Sequence, residues 1–111
     1  MSGNKISRFE LLLSQFPFKD QRMNRNDTQS FIRFFYFLYE NTNIHYLYFV
    51  KKETLIDYLK YHRSKQFEII SFTQVIQDIN LFILYLKNKS GINKEIEIDL
   101  SLKNTKLWMN L

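Results

Sequence analysis

Few residues of this sequence have the types and spacing that chemistry requires. His45 lies in an aromatic stretch with no acid nearby, and His62 falls on the apolar face of a predicted helix, where a histidine packed in the core is more common than a general base. The carboxylates of Glu95, Glu97 and Asp99 lie along one side of an extended segment and lack the glycine turn of a calcium loop. The chain has no Cys and no phosphate-binding glycine-rich loop. The sequence therefore predicts a protein that is not an enzyme and that uses no metal ion or cofactor.

The composition predicts one packed, mostly helical domain. With 111 residues, 45% hydrophobic residues, one Pro and two Gly, the chain is too small for two ordinary domains and has too few turn residues for a β-sandwich. Its apolar stretches are interrupted well before the roughly 20 residues that a membrane span requires, and its first residues do not have the order of a secretory signal. We therefore expect a cytoplasmic protein without a membrane segment.

Capping residues and apolar spacing divide this domain into helices. Ser7 and Glu10 have the spacing of a capping box and predict a short first helix that ends before Pro17. Asp27 is a suitable N-cap for a second helix that runs to about Asn41. The core stripe of that helix is predicted to comprise Phe31, Phe34, Phe35 and Leu38.

Two further helices and an extended segment complete the prediction. A third helix is expected from about Lys52 to Ser64, and a second capping box, Ser71 to Gln74, begins a fourth helix that ends near Lys89. From Ile92 the apolar residues alternate with acidic ones, which is typical of an extended chain. The expected fold class is a single all-α bundle of four or five helices. Its parts are a variable N-terminal segment (1–26), a core bundle (27–89) and a C-terminal extended segment with a short helix (92–111).

Aromatic residues make up 17% of the chain, with 11 Phe and 7 Tyr, which is more ring area than one small core can readily hide. The second and fourth helices carry more apolar surface than one-sided packing needs. Burial on two sides would explain this surplus, and the alternative is a partner interface. The candidate interface residues are Tyr36, Tyr39, Leu81, Tyr85, Leu107 and Trp108. Trp108 either packs back on the bundle, beside the second helix, or stays exposed and anchors a partner.

Basic residues gather around the third helix, and the net charge of +5 permits a polyanionic partner. Such charges most often form a solvated surface. The alternative is DNA contact, and the candidate residues for it are Lys51, Lys52, Lys60, Arg63 and Lys65. No helix has the base-reading pattern of a recognition helix, so we expect weak or no sequence-specific DNA binding by the chain itself.

The order of the segments resembles the SAM-like core-binding domain of phage-type tyrosine recombinases. The similar stretch is Val50-Lys51-Lys52-Glu53-Thr54-Leu55-Ile56-Asp57-Tyr58-Leu59, followed by residues 71–86. This resemblance implies a helical bundle that grips DNA through basic helix ends. Strand cleavage would need the recombinase catalytic domain, which this sequence does not contain.

A closer resemblance, over roughly residues 27 to 109, is to the SwrA family of small swarming-motility regulators of bacilli. The similar stretches are Asn41-Thr42-Asn43-Ile44, Asp57-Tyr58-Leu59-Lys60-Tyr61-His62 and Leu100-Ser101-Leu102-Lys103-Asn104-Thr105-Lys106-Leu107-Trp108-Met109. The last stretch is the most specific because it contains the only tryptophan of the chain. The resemblance implies that the protein raises flagellar gene expression together with a DNA-binding response regulator and without chemistry of its own.

We therefore expect a non-enzymatic transcriptional co-regulator of motility genes that binds a response regulator and contacts DNA, if at all, with the help of that partner. The alternative is a stand-alone DNA-binding domain derived from a tyrosine recombinase. A third reading is a homo-oligomer that uses the surplus aromatic area for self-association. The salt dependence of binding distinguishes the co-regulator from the DNA-binding domain, because binding through phosphate contacts weakens steeply with salt and binding through a mainly apolar interface does not.

Overall fold

The protein is an all-α domain in a computed structural model that describes residues 7–16, 18, 23–64, 70–87 and 98–111. Within these ranges there are five α-helices, one 3₁₀ turn and no β-strand. The elements are α1 (Arg8–Ser14), α2 (Arg25–Asn41), the 3₁₀ turn (Leu47–Phe49), α3 (Lys52–Arg63), α4 (Phe72–Lys87) and α5 (Thr105–Met109). The predicted all-α class is thereby confirmed. Residues 88–97, which include most of the segment predicted to be extended, lie outside the described residues, and Ile98 to Leu100 form no strand.

The first capping box forms as predicted. The Glu10 amide donates to Ser7 Oγ at 3.1 Å, and the Ser7 amide donates to Glu10 Oε1 at 3.3 Å. Each side chain thus satisfies an amide that the first helical turn would leave without an acceptor. The second box is only half formed. Ser71 Oγ accepts from the Gln74 amide at 3.2 Å, but the Gln74 side chain turns into the core instead of reaching back to Ser71.

The predicted N-cap of α2 was wrong. Asn24 caps the helix, and its Oδ1 accepts from the Asp27 amide at 2.7 Å. Asp27 therefore lies inside the first turn, where its negative charge is favourable near the partly positive amides of the helix N-terminus. The predicted end of the helix at Asn41 agrees with the structure.

Helix α2 is central to the bundle, because aromatic rings of neighbouring helices pack against it. Its predicted stripe is fully buried, and Phe34 meets the Tyr58 ring of α3 at 4.9 Å and the Phe82 ring of α4 at 4.7 Å between centroids. Phe37, which does not fit that stripe, is also buried, with its ring 5.1 Å from Tyr58. Burial on a second side thus accounts for Phe37, whereas Ile32, Tyr36 and Tyr39 of the same helix stay partly exposed.

A polar network crosses this aromatic core and links three helices. Asp78 on α4 is buried, and its carboxylate accepts from Arg33 Nε at 2.7 Å, from Arg33 Nη2 at 2.8 Å and from the Tyr58 hydroxyl at 2.6 Å. Gln74 Nε2 donates to the same carboxylate at 3.3 Å and to Ser30 Oγ at 3.1 Å. Burial and the neighbouring carboxylate raise the pKa of Tyr58, and the hydrogen bond to Asp78 raises the pKa of Arg33. The network therefore holds a protonated tyrosine and a paired arginine between α2, α3 and α4.

Candidate interaction surfaces

One side of α2 remains exposed and carries large apolar side chains. Ile32, Tyr36 and Tyr39 are 40%, 46% and 37% exposed, although all three lie on the central helix of the bundle. The Phe9 ring of α1 supports both tyrosines, at 5.7 Å from Tyr36 and 5.6 Å from Tyr39. The carboxylate of Glu40 lies next to the Tyr36 hydroxyl and raises its pKa. We call these exposed residues Ile32, Tyr36 and Tyr39 the α2 face.

The α2 face borders a groove of about 410 Å³ between α2 and the C-terminal half of α3. The groove is lined by Gln29, Ile32, Arg33, Tyr36, Phe37, Tyr61 and His62. Its volume is within the range of about 300–1,000 Å³ that is typical of ligand pockets. His62, which the sequence places on the inner face of α3, is buried at the edge of this groove.

Arg8 braces the end of α2 from the first helix. Its guanidinium donates to the carbonyl oxygens of Leu38 at 3.1 Å and Ile44 at 3.0 Å, and also to that of Tyr39. The same guanidinium lies 5.4 Å from the centre of the Tyr39 ring, which is cation–π geometry. One side chain therefore fixes both the C-terminal end of α2 and one ring of the α2 face.

A second group of exposed rings lies on the 3₁₀ turn. Tyr46, Tyr48 and Phe49 are 52%, 58% and 56% exposed, whereas Leu47 between them is buried. The Gln15 side chain holds this turn, because its Oε1 accepts from the Leu47 amide and its Nε2 donates to the His45 carbonyl oxygen, both at 2.7 Å. We call these three rings the aromatic turn.

The sequence places His45 in an aromatic stretch but did not identify this group of exposed rings. The sequence contained a weak signal, which is the spacing of three residues between Leu47 and Val50. Both residues are buried in the structure. If one face of a single helical turn packs inward through these two residues, the aromatic residues between them must face outward.

On α4 the structure separates the candidate residues from the α2 face. The ring of Tyr85 packs 4.6 Å from Phe16, and its hydroxyl donates to the Gln15 carbonyl oxygen at 3.2 Å. Leu81 and Tyr85 are half-buried, and neither lines the groove beside Tyr36. Contacts within the bundle therefore account for much of their apolar surface, whereas Leu84, directly before Tyr85, is 56% exposed.

Trp108 packs on the bundle, but not beside α2. Its ring meets Phe72, the first residue of α4, edge-on at 5.9 Å, and its Nε1 donates to the Ser101 carbonyl oxygen at 2.8 Å. Arg63 at the end of α3 donates to the Trp108 carbonyl oxygen at 3.2 Å. Leu107 and Trp108 are half-buried and Met109 is 84% exposed, so α5 lies on the surface of the bundle.

The structure divides the five basic candidates for DNA contact. Lys52 and Lys60 line a second groove, of about 340 Å³, between α3 and the C-terminal segment. Arg63 is engaged in holding α5 through the carbonyl oxygen of Trp108. Lys51 is exposed at the N-cap of α3. Lys65 lies outside the described residues. Lys106 of α5, which the sequence did not single out, joins Lys52 and Lys60 in the second groove.

The described residues contain neither a metal-binding cluster nor a membrane-spanning helix. In those ranges no three His, Asp or Glu side chains come together in a way that could hold a metal ion. No described helix combines the length and apolar character that a membrane crossing demands.

Comparisons of the chain with protein-family models, with curated proteins and with solved structures gave no significant match. The resemblance to the SwrA family therefore stays a prediction from the sequence.

Proposed function

We propose that this protein is a non-enzymatic co-regulator of transcription that binds a DNA-binding response regulator through the α2 face. The observation that carries the proposal is the clustering of exposed apolar side chains. In the described ranges, six of the nine large hydrophobic residues that are exposed lie between residues 32 and 49, on the α2 face and the aromatic turn. On the α2 face the Tyr36 and Tyr39 rings lie 6.1 Å apart, and contiguous exposed apolar surface is typical of protein-binding sites, whereas singly scattered apolar residues are not.

The rings of the α2 face have the properties of binding hot spots. Tyrosine combines a large apolar ring with a polar hydroxyl and is enriched at interface centres. Phe9 and Arg8 already restrict the rings of Tyr36 and Tyr39. These side chains would therefore lose little conformational entropy when a partner binds. The neighbouring groove between α2 and α3 offers a place for side chains of the partner.

The resemblance to the SwrA family supports the choice of a response regulator as partner and of motility genes as targets. In this proposal the partner supplies the sequence-specific contacts with DNA, and the protein acts in the cytoplasm. The two competing functions are DNA binding by the chain itself and self-association. Each of them is a distinct outcome of the following experiment.

The experiment mixes the purified chain with each purified response regulator of the organism that encodes it and measures mass in solution by light scattering. We expect a stable complex with one regulator. Tyr36→Ala should weaken this complex about thirtyfold, which corresponds to about 2 kcal/mol of binding free energy. Asn80→Ala, at an exposed position of α4, is the matched control and should leave affinity unchanged.

Three results would contradict the proposal. The first is that no regulator binds. The second is an unchanged affinity of Tyr36→Ala in a chain that retains its helical circular dichroism. The third is submicromolar binding of one promoter sequence by the chain without any regulator, with the steep salt dependence of phosphate contacts. A concentration-dependent mass of the chain without a partner would favour self-association instead.

A further inference from the structure

The groove between α3 and the C-terminal segment combines an apolar floor with a basic rim. Four aliphatic lining residues, Ile56, Ile98, Leu107 and Leu111, are half-buried, and we call them the floor. We call the other lining residues the rim, which comprises the exposed Lys52, Lys60 and Lys106 together with Asn104 and Asn110. Among the described residues that line the groove there is no acidic side chain. This surface is distinct from the α2 face, since no residue lines both grooves.

The three lysines stand on both walls of the groove. Lys52 and Lys60 are on α3, eight residues and therefore about 12 Å apart along the helix axis. Lys106 is on the opposite wall, on α5. A ligand on the floor would therefore have ammonium groups on two sides. All three lysines are exposed, so their long side chains can reach toward such a ligand while their charges stay hydrated.

We infer that this groove binds an acidic segment of a partner protein, with one apolar side chain on the floor and carboxylates against Lys52, Lys60 and Lys106. The charge of the rim selects for an anionic ligand, because a cationic segment would bring like charges together. The floor selects for an apolar side chain, because aliphatic surface gains free energy only when apolar surface covers it. An acidic peptide with one Leu or Phe supplies both features.

Nucleic acid satisfies only the first of these conditions. A phosphate backbone would pair with the lysines, but a duplex carries no aliphatic side chain that could cover Ile56 or Leu107. Arginine binds phosphate with a two-pronged geometry that lysine lacks. Arg63, at the end of α3, already donates to the Trp108 carbonyl oxygen. The chemistry of the groove therefore favours the acidic segment over DNA.

The experiment uses the full chain and an array of fluorescent acidic 12-residue peptides, each with one Leu or Phe at a varied position. Binding is measured by anisotropy at low and at moderate salt. We expect members of the array to bind, and replacement of their single apolar residue by Ser to weaken binding about tenfold. Lys52→Gln combined with Lys60→Gln should weaken binding of the same peptides about fivefold or more.

The matched control is Lys87→Gln, which also removes the charge of an exposed lysine. Lys87 ends α4, roughly 22 Å along that helix from Phe72, against which Trp108 packs. This variant should bind the peptides like the unchanged chain. The lysine variants are at exposed positions, and circular dichroism will show that their helices are retained.

Three outcomes overturn the inference. The first is that no peptide of the array binds at millimolar concentration. The second is that polyglutamate without an apolar residue, or duplex DNA, binds as tightly as the best peptide, which would indicate a general polyanion surface. The third is that Lys87→Gln weakens binding as much as the Lys52 and Lys60 pair. None of these outcomes depends on the α2 face, so this inference and the proposed function can fail independently.

Discussion

Replacement of Asp78 by alanine removes the acceptor that Arg33, Tyr58 and Gln74 share. The Tyr58 hydroxyl is fully buried and would be left without this acceptor, at a cost of about 1–3 kcal/mol. The Arg33 side chain is 23% exposed, so water can reach part of its guanidinium and reduce the cost on that side. Removing one partner of a buried ion pair costs about 3–5 kcal/mol. We therefore expect Asp78→Ala to lower the free energy of unfolding by about 3 kcal/mol, near the lower end of that range.

Urea denaturation followed by far-UV circular dichroism measures this change. Small domains have a free energy of unfolding of about 5–15 kcal/mol, so the variant should still fold and should unfold at clearly lower urea. The melting temperature should fall by about 12 °C, since each kcal/mol corresponds to about 4 °C in a domain of this size. Tyr58→Phe removes only one hydroxyl and should cost about 1 kcal/mol.

A double replacement distinguishes loss of pairing from loss of packing. Asp78→Leu together with Arg33→Met fills the same space with apolar groups and should restore much of the stability that either single change removes. The reasoning is refuted if Asp78→Ala costs less than 1 kcal/mol. It is also refuted if the double variant is as unstable as the sum of the two single variants, because pairing would then not be the cause.

Three further outcomes follow from the structure. The pKa of Tyr58 is raised in the folded chain. Its contribution to the free energy of unfolding is therefore complete below the unfolded-state pKa of about 10 and is lost as the pH rises above that value. Urea titrations should show a shallower loss of stability above pH 10 for Tyr58→Phe than for the unchanged chain. Trp108 emission should change at lower urea than far-UV circular dichroism, because no residue of α5 is buried, and coincident transitions would contradict this. Gln15→Ala should cost about 1–2 kcal/mol by removing two hydrogen bonds to the connector, whereas Ser14→Ala, at an exposed neighbouring position, should cost less in the same assay.

The helices themselves follow from local signals. The capping box of Ser7 and Glu10 and the apolar stripe of α2 predicted elements that the structure contains. The error at the start of α2 has a simple cause. Asn24 and Asp27 are both good N-caps and lie three residues apart, so capping preference does not choose between them. Once Asn24 is the cap, Asp27 falls where acidic residues are also favoured.

The buried network could not be predicted from local sequence. Asp78 lies between a glutamine and an isoleucine on an amphipathic helix, a position typical of a surface charge. Its burial depends on Arg33 and Tyr58, which are 45 and 20 residues away along the chain. No local pattern records such a pairing. The net charge gave no indication of the network either, because the charges of Asp78 and Arg33 cancel.

The exposure of aromatic side chains was predictable only in part. Tyr36 and Tyr39 fall outside the predicted core stripe of α2, and the structure exposes both. Phe37 seemed equally out of place in the helical pattern, yet α3 covers it. Which apolar side of α2 is covered depends on where α3 lies, and this position is set by contacts far apart in sequence. The same reason explains why Lys106 was missed in the basic groove.

The charged group of Asp78 is useful in this phenylalanine-rich core because it fixes the position of α3 against α2. Aromatic rings of similar size can exchange places at modest cost, so ring packing alone leaves the register of α2 against α3 and α4 weakly defined. The bonds of the Asp78 carboxylate are directional, because hydrogen bonds from Arg33 and Tyr58 require short distances and favourable angles. Sliding either helix by one turn, about 5.4 Å, would break these bonds and leave the charges buried. The register that this network fixes sets Tyr36 against the end of α3, and thereby shapes the groove through which the protein is proposed to bind its partner.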